Sequence, residues 1–365
     1  MKRSDDARGS APPLPSAEPV GLVDPTGRRI AGGAYDTPEP GTLRSLLRGM
    51  LIGRRFDRQA GALARQGRLA VYPSSRGQEA CQVGGALALA ERDWLFPTYR
   101  DCVALVARGV DPVEVLTLLR GDWHSGYDPR GTRCAPQCTP LATSAPHAVG
   151  LAWAARRAGD DAAALVMMGD GATSEGDAHE AFNFAAVWKA PVVFLVQNNQ
   201  WAISVPLHKQ SAAPTLAHKA VGYGMAGVHI DGNDAAAVHA AVSEALASAR
   251  AGGGPVLIEA RTYRMDPHTN SDDPSRYRDD TERAHWEERD PLIRLEALLR
   301  SEGALDDTAM AGFEKEAESV AAAVRERYSG EDEGAPEEMF AHVYHAVPEQ
   351  LERQRRELLA EIGEG

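Results

Sequence analysis

The stretch that decides the fold is Ala164 to Asn199, ALVMMGDGATSEGDAHEAFNFAAVWKAPVVFLVQNN. It holds two short apolar runs, Ala164–Met168 and Pro191–Val196, each too brief for a helix and bounded by turn residues, so each reads as a fully buried strand. Between them Ala178, Ala181, Phe182, Ala185 and Ala186 recur at helical spacing, with Asp177 and Glu180 read as an acidic capping box that opens the helix. Strand, helix and strand of this length make a crossover unit with parallel strands. Gly169-Asp170-Gly171 then ends the first strand and Asn198-Asn199 ends the second, so both motifs reach the carboxyl edge of the sheet. Open α/β sheets bind their ligands at that edge.

Working outward, the pattern repeats. Gly227–Ile230 and Pro255–Ala260 read as further strands, joined by a helix from about Asp234 to Ala251 that stops at Gly252-Gly253-Gly254. The expected fold class is therefore α/β, a parallel sheet with helices on both faces. Upstream, Leu43, Leu46, Leu47, Met50 and Leu51 begin a long helix at about Thr42. Residues 1–41 form an N-terminal arm, disordered or irregular, with prolines at 12, 13, 15, 19 and 25. Beyond Asp290 the chain is charged and helical, with Leu292, Leu295, Leu298 and Leu299 on one stripe and a last amphipathic segment at 351–362. The expected domains are 1–41, a ligand-binding α/β domain at 42–290, and a helical segment at 291–365.

The 365 residues carry 39 basic and 52 acidic side chains, a net charge of −13, which disfavours nucleic acid and anionic membranes as partners. No apolar run is long enough for a membrane span, and the polar, Pro-rich start has no signal-peptide core. Four cysteines in a chain of this length do not make a disulfide framework. Cytoplasmic localisation is the expectation. Cys134 and Cys138 with His124 and His147 are a weak zinc pattern, and free thiols are the plainer reading.

A carboxylate and an amide oxygen are hard ligands of the kind magnesium takes, with substrate phosphates and water completing its shell. Asp170 and Asn199 thus point to a magnesium-bound diphosphate, with Gly171 and Ala172 letting backbone approach the anion. Either motif alone is equally well a turn that closes a strand. The spacing also leaves open a noncatalytic, magnesium-dependent nucleotide or phosphate binding module.

The segment from Gly169 to Ser204 strongly resembles the thiamine-diphosphate motif of the α subunit of the decarboxylating component of 2-oxoacid dehydrogenase complexes. The resemblance runs from RQGRLAVYPSSRGQEA at Arg65 to RYRDD at Asp280 and, more loosely, into the C-terminal helices. It implies thiamine diphosphate with magnesium held by Asp170, Asn199 and the Trp201 carbonyl. Gly169, Gly171, Ala172 and Gln197 would lie along the cofactor. Tyr99 and Arg100 match a Tyr-Arg pair on the cofactor, with the guanidinium on the diphosphate, which suits its geometry. Thr139 and Leu141 match the segment whose Leu141 carbonyl holds the aminopyrimidine amino group. Cys138, Pro140, Thr143 and Ser144 fall where branched-chain members build a potassium site, although Ser144 replaces an expected Gln.

His268, in RMDPHTNSDDPSRYR, matches the catalytic histidine of a loop that closes over the thiazolium end of the cofactor. Asp266-Pro267 precedes it where many members have glycine, and Gln197 stands where some branched-chain members have arginine. Thr269 and Ser271 match positions that animal relatives regulate by phosphorylation. The cofactor supplies the electron sink for loss of carbon dioxide. The resemblance further implies acyl transfer to a lipoyl-bearing acyltransferase core and a β subunit that contributes the cofactor-activating glutamate. The expected assembly is a heterotetramer of two α and two β chains. The expected substrate is a branched-chain 2-oxoacid, with pyruvate as the alternative. The absence of a Gly-x-Gly-x-x-Gly after any strand agrees with a reaction that uses no nicotinamide on this chain.

Overall fold

In a computed structural model of the chain, described for residues 13–121, 125–328, 335–341 and 343–363, the centre is a five-stranded parallel sheet. Its strands are β1 (Trp94–Phe96), β2 (Ala164–Gly169), β3 (Val192–Asn198), β6 (Ala226–Asp231) and β7 (Val256–Arg261), in the order β1-β2-β3-β7-β6. A separate antiparallel pair, β4 (Trp201–Ala202) and β5 (Val205–Pro206), follows β3 directly. All four expected runs are strands, each ending one or two residues later than expected, with β3 and β7 also starting one residue later because each of those expected runs opens on a proline. β1 escapes sequence reading because Trp94-Leu95-Phe96 is too short to carry a period.

Burial on both faces explains the uninterrupted apolar runs. Leu165, Met167, Val193, Leu195 and Ile258 pack toward one core, together with α1 (Pro40–Arg65), α2 (Glu79–Ala88) and, further along the chain, the helix Ala235–Arg250. The alternate residues Val166, Met168, Phe194, Val196 and Leu257 face the other core, under α3 (Ser144–Ala158) and α4 (Gly176–Trp188). Consecutive strand residues therefore point to opposite apolar layers. The helix Ala235–Arg250 is α5, capped by Asp234, whose carboxylate accepts from the N–H groups of Ala236 and Ala237. The leucine stripe lies on α6 (Pro291–Ser301), and all four of its leucines are buried.

One local expectation is corrected. α4 begins at Gly176 with Glu175 in the N-cap position and no side-chain cap, so Asp177 and Glu180 do not form a capping box. A 3-10 turn, Gly171–Ser174, runs almost directly into the helix. Asp177 is thereby inside the first turn, where its charge still favours the helix N-terminus.

The described part of the N-terminal arm contacts the sheet edge. Val20 bridges to Ile230 in parallel, and the N–H groups of Leu22 and Val23 each donate 2.7 Å hydrogen bonds to Asp234 Oδ2. His124, one of the weak zinc set, lies outside the described residues. All four cysteines are free thiols. No described helix is long and apolar enough to cross a membrane.

Candidate active site

The register of the sheet builds the site. Gly169 pairs with Gln197 across β2 and β3, and β3 runs one residue further to Asn198, so Asp170 and Asn199 leave the sheet at neighbouring strand ends. Asp170 and Asn199 are 2% and 6% exposed, and both line one cavity of about 370 Å3 with Gly169, Gly171, Ala172 and Gln197. Burial pushes the Asp170 carboxyl above its ordinary range, opposed by a hydrogen bond from Gln210. That bond, from Gln210 Nε2 to Asp170 Oδ2, is 2.7 Å. Asn199 donates from Nδ2 to Gln78 Oε1 at 2.6 Å and accepts the Trp201 N–H on Oδ1 at 3.2 Å.

A buried carboxylate held by an amide with no ion pair among the described residues is costly, and a divalent cation would offset that cost. The donors around it are hard oxygens, which suit magnesium. A Cβ on Gly171 would sit 2.8 Å from the Ala202 Cβ, so only glycine lets the turn pack against β4. The residues present thus fit a metal-bound diphosphate.

The opposite wall comes from distant segments. Arg100 is 6% exposed, and its guanidinium donates to the Ser74 carbonyl at 2.9 Å and to the His268 carbonyl at 3.0 Å, with His268 Nδ1 also at 3.0 Å. The His268 N–H donates to Asp272 Oδ2 at 2.7 Å. Burial lowers the His268 imidazole to about 4, and the cations Arg100 and Arg264 push the same way. A neutral ring at neutral pH follows, able to accept at Nδ1 from Arg100. Tyr99 packs edge-on to His268, ring centres 6.2 Å apart. Val71, Leu119, Leu141 and Ile203 give the same cavity an apolar side.

Comparison with known proteins agrees with this geometry. Residues 47–336 match the family described as "Dehydrogenase E1 component". The chain belongs to that family. It is 46% identical over 347 residues to the 3-methyl-2-oxobutanoate dehydrogenase subunit alpha of Mycobacterium tuberculosis (strain CDC 1551 / Oshkosh), covering 94% of each chain. It is 37% identical over 339 residues to the pyruvate dehydrogenase E1 component subunit alpha of Staphylococcus aureus (strain Mu50 / ATCC 700699), covering 92% of this chain and 91% of that one. The family expected from the sequence, the α subunit of a 2-oxoacid dehydrogenase decarboxylating component, is the family found.

In this E1 chain every residue expected along the cofactor lines the cavity: Tyr99, Arg100, Thr139, Leu141, Gly169, Asp170, Gly171, Ala172, Gln197, Asn199, Trp201 and His268. Three of them are engaged differently from the expectation. The Arg100 guanidinium is shared with the His268 loop. Gln197 Nε2 donates to Asp101 Oδ1 at 2.6 Å, and its buried Oε1 has no partner among the described residues. The Trp201 carbonyl already accepts from Arg264 Nη1 at 3.1 Å. In the potassium set, Cys138, Pro140 and Ser144 line the cavity while Thr143 stands at the N-cap of α3, and the Pro140 carbonyl takes the Cys138 Sγ at 3.6 Å. Sequence reasoning missed Gln78, Asp101, Gln210 and Arg264. Each acts through side-chain contacts from a segment without periodicity, and only Gln78, inside the quoted SSRGQEA, and Arg264, which opens the quoted RMDPHTNSDDPSRYR, fell within a stretch that carried a signal.

Proposed function

We propose that this chain is the α subunit of a branched-chain 2-oxoacid dehydrogenase, acting on substrates such as 3-methyl-2-oxobutanoate. The observation that carries the reading is the single cavity uniting Asp170, Asn199, Arg100, Leu141 and His268, in a chain 46% identical to a relative named for that substrate. The side formed by Val71, Leu119, Leu141 and Ile203 suits an apolar acyl chain. Pyruvate is the second reading, favoured by the 37% identical relative. A phosphate-binding module without catalysis leaves Leu141 and His268 without a task.

Thiamine diphosphate with magnesium, when bound, supplies the electron sink for decarboxylation. Asp170, Asn199 and the Trp201 carbonyl would hold the metal, and the Gly171 and Ala172 backbone would lie along the diphosphate. Arg100 contributes a fixed positive charge on the same wall and steers His268. His268, neutral, would accept or pass a proton at the reacting end and close that end against water. The Leu141 carbonyl and Thr139 would position the ring remote from the diphosphate.

The same reading assigns a β subunit in an assembly of two α and two β chains, with acyl transfer to the lipoyl groups of an acyltransferase core. Exposed Trp153, Phe184, Val187 and Trp188 form an apolar patch on α3 and α4, with the Phe184 and Trp188 rings 4.7 Å apart, which supports a need for a partner surface. The four free thiols support a reducing, cytoplasmic setting. The deciding experiment co-expresses this chain with the β chain and measures decarboxylation with an artificial electron acceptor, with thiamine diphosphate and magnesium present. Turnover that needs both chains and prefers 3-methyl-2-oxobutanoate to pyruvate is expected. Preference for pyruvate replaces the substrate, and a complex that fails to bind the cofactor overturns the reading.

A further inference from the structure

Behind the cavity, the loop that carries His268 is fastened by a contact between two acids. Asp57, on α1, is 4% exposed and has no ion pair among the described residues. Its Oδ1 accepts from the Tyr72 hydroxyl and from the Ser75 N–H, each at 2.7 Å, and its Oδ2 lies 2.7 Å from Ser74 Oγ. That same Ser74 Oγ lies 2.8 Å from Oδ2 of Asp266, two residues before His268. It also accepts the Arg76 N–H at 3.1 Å.

A hydroxyl carries one proton, and an ionised carboxylate carries none. Ser74 can therefore donate to Asp57 or to Asp266, but not to both. With both carboxylates charged, one of the two short oxygen contacts holds no proton and is repulsive. Both contacts are satisfied when one carboxyl is protonated and donates to Ser74, which then donates to the other. Asp266 is partly exposed and has Arg76 Nη1 at 3.3 Å, whereas Asp57 is buried. Asp57 is the acid better placed to keep the proton.

The surroundings of Asp57 agree. Burial pushes its carboxyl up to about 6, the nearby Glu79 acts in the same direction, and the hydrogen bonds from Ser75, Tyr72 and Ser74 oppose them. Cys102 is a further neighbour, its thiol pushed up to about 12 mainly by burial and in part by Asp57. Arg58, Arg65 and Arg76 line the outer cavity that Asp57 and Asp266 share, together with Tyr72, Thr269 and Asn270. On the loop side, Arg278 Nη2 donates to the Asp266 carbonyl at 3.0 Å. The Ser74 carbonyl accepts from the same guanidinium of Arg100 that holds the His268 carbonyl.

We propose that Ser74 is a positioning residue for the His268 loop: one proton shared along Asp57, Ser74 and Asp266 latches the loop to α1, and loss of that proton loosens it. The latch stands on its own geometry, and its bearing on turnover rests on the assignment of His268 above. Protection is greatest below the Asp57 transition and falls as pH rises through it, because the raised acid is the proton's source.

The test is hydrogen exchange of residues 266–273 in the assembled αβ complex from pH 5 to pH 8, corrected for the intrinsic pH dependence of exchange. Wild type is expected to lose about tenfold in protection across that range, the worth of one hydrogen bond. Asp57→Asn keeps both acceptor contacts at Oδ1 and supplies a permanent donor to Ser74, so its protection stays high and flat. Asp266→Asn closes the same relay from the partly exposed side, and gives the same flat profile should the buried substitution impair folding. Ser74→Ala is low and flat, and Ser74→Thr restores the slope. A wild-type slope retained in Asp57→Asn, Asp266→Asn or Ser74→Ala overturns the latch. Activity is not read in this experiment, so a failed latch leaves the substrate assignment standing, and a failed substrate assignment leaves the exchange profile unchanged.

Discussion

The two walls of the cavity are built in opposite ways. Asp170 and Asn199 leave adjacent parallel strands, with backbones set by sheet register and carboxylate and amide held by Gln210 and Gln78. His268 sits in no regular element, and its position rests on side-chain bonds from Arg100 and Asp272. The wall that would face the diphosphate is therefore fixed before any ligand arrives. The wall that would face the reacting end is fastened by contacts that can be exchanged one at a time. A fixed charge site beside an adjustable closing element is a common division of labour in enzymes that must exclude water and then release product.

The strand wall gives the largest expected effect. Asp170→Ala should weaken magnesium-dependent binding of thiamine diphosphate by on the order of 100-fold or more, read by calorimetry on the assembled complex, since outer contacts alone change metal affinity about 10–100-fold. Gln210→Ala, which removes only the amide that aims the carboxylate, belongs at the low end of that range. Thermal stability should not fall in Asp170→Ala, because burial already disfavours the charge. Unchanged affinity in Asp170→Ala would reduce the strand wall to scaffolding and erase the contrast.

The contrast also explains what could be read from the sequence. Two apolar runs ending in Gly169-Asp170-Gly171 and Asn198-Asn199 fix strand type, parallel pairing and the edge at which the site forms, because side chains buried on both faces leave an unbroken apolar signature. The capping of α4 was misread because the 3-10 turn at Gly171–Ser174 moves the helix start before Asp177. His268 and Arg100 were placed by resemblance, and no local pattern brings residue 100 to residue 268. Nor does any pattern show that Ser74 meets two acids. Gly77 illustrates the same limit: its φ is +95°, and a Cβ there would lie 2.1 Å from the Tyr263 carbonyl oxygen, a close approach visible only in the folded chain.

A second, smaller effect separates the walls directly. Arg100→Lys keeps the charge but replaces a planar fork with a single ammonium, which cannot hold the Ser74 and His268 carbonyls and the His268 ring at once. Loss of one or two such bonds predicts a fall in kcat of about tenfold, with faster hydrogen exchange in residues 266–273. Cofactor affinity should change less than in Asp170→Ala. A variant that loses affinity as severely as Asp170→Ala, with kcat intact at saturation, would place Arg100 with the strand wall instead.

The smallest effect is in the pH dependence of stability, where the loop wall and the helix behind it hold two groups of opposite sign. His268 is held near 4 in the folded chain against an ordinary value of 6.5, mainly by burial and then by Arg100 and Arg264. The unfolded chain binds more protons there, so its contribution is fully present above pH 6.5 and is lost as pH falls toward 4. Asp57, raised to about 6, works the other way, and its contribution is lost as pH rises from about 4 to 6. In wild type the two slopes partly cancel between pH 4 and 6. His268→Gln removes one of them, so relative to wild type it should gain stability as pH falls through that window, by about 1–2 kcal/mol once solvent screening is allowed for. Asp57→Asn should change in the reverse sense. Denaturant titrations of the three complexes at pH 4.5, 5.5 and 7 read the difference. Parallel curves for His268→Gln and wild type would mean that the imidazole is solvated and free to protonate, and that the loop wall is not closed around it.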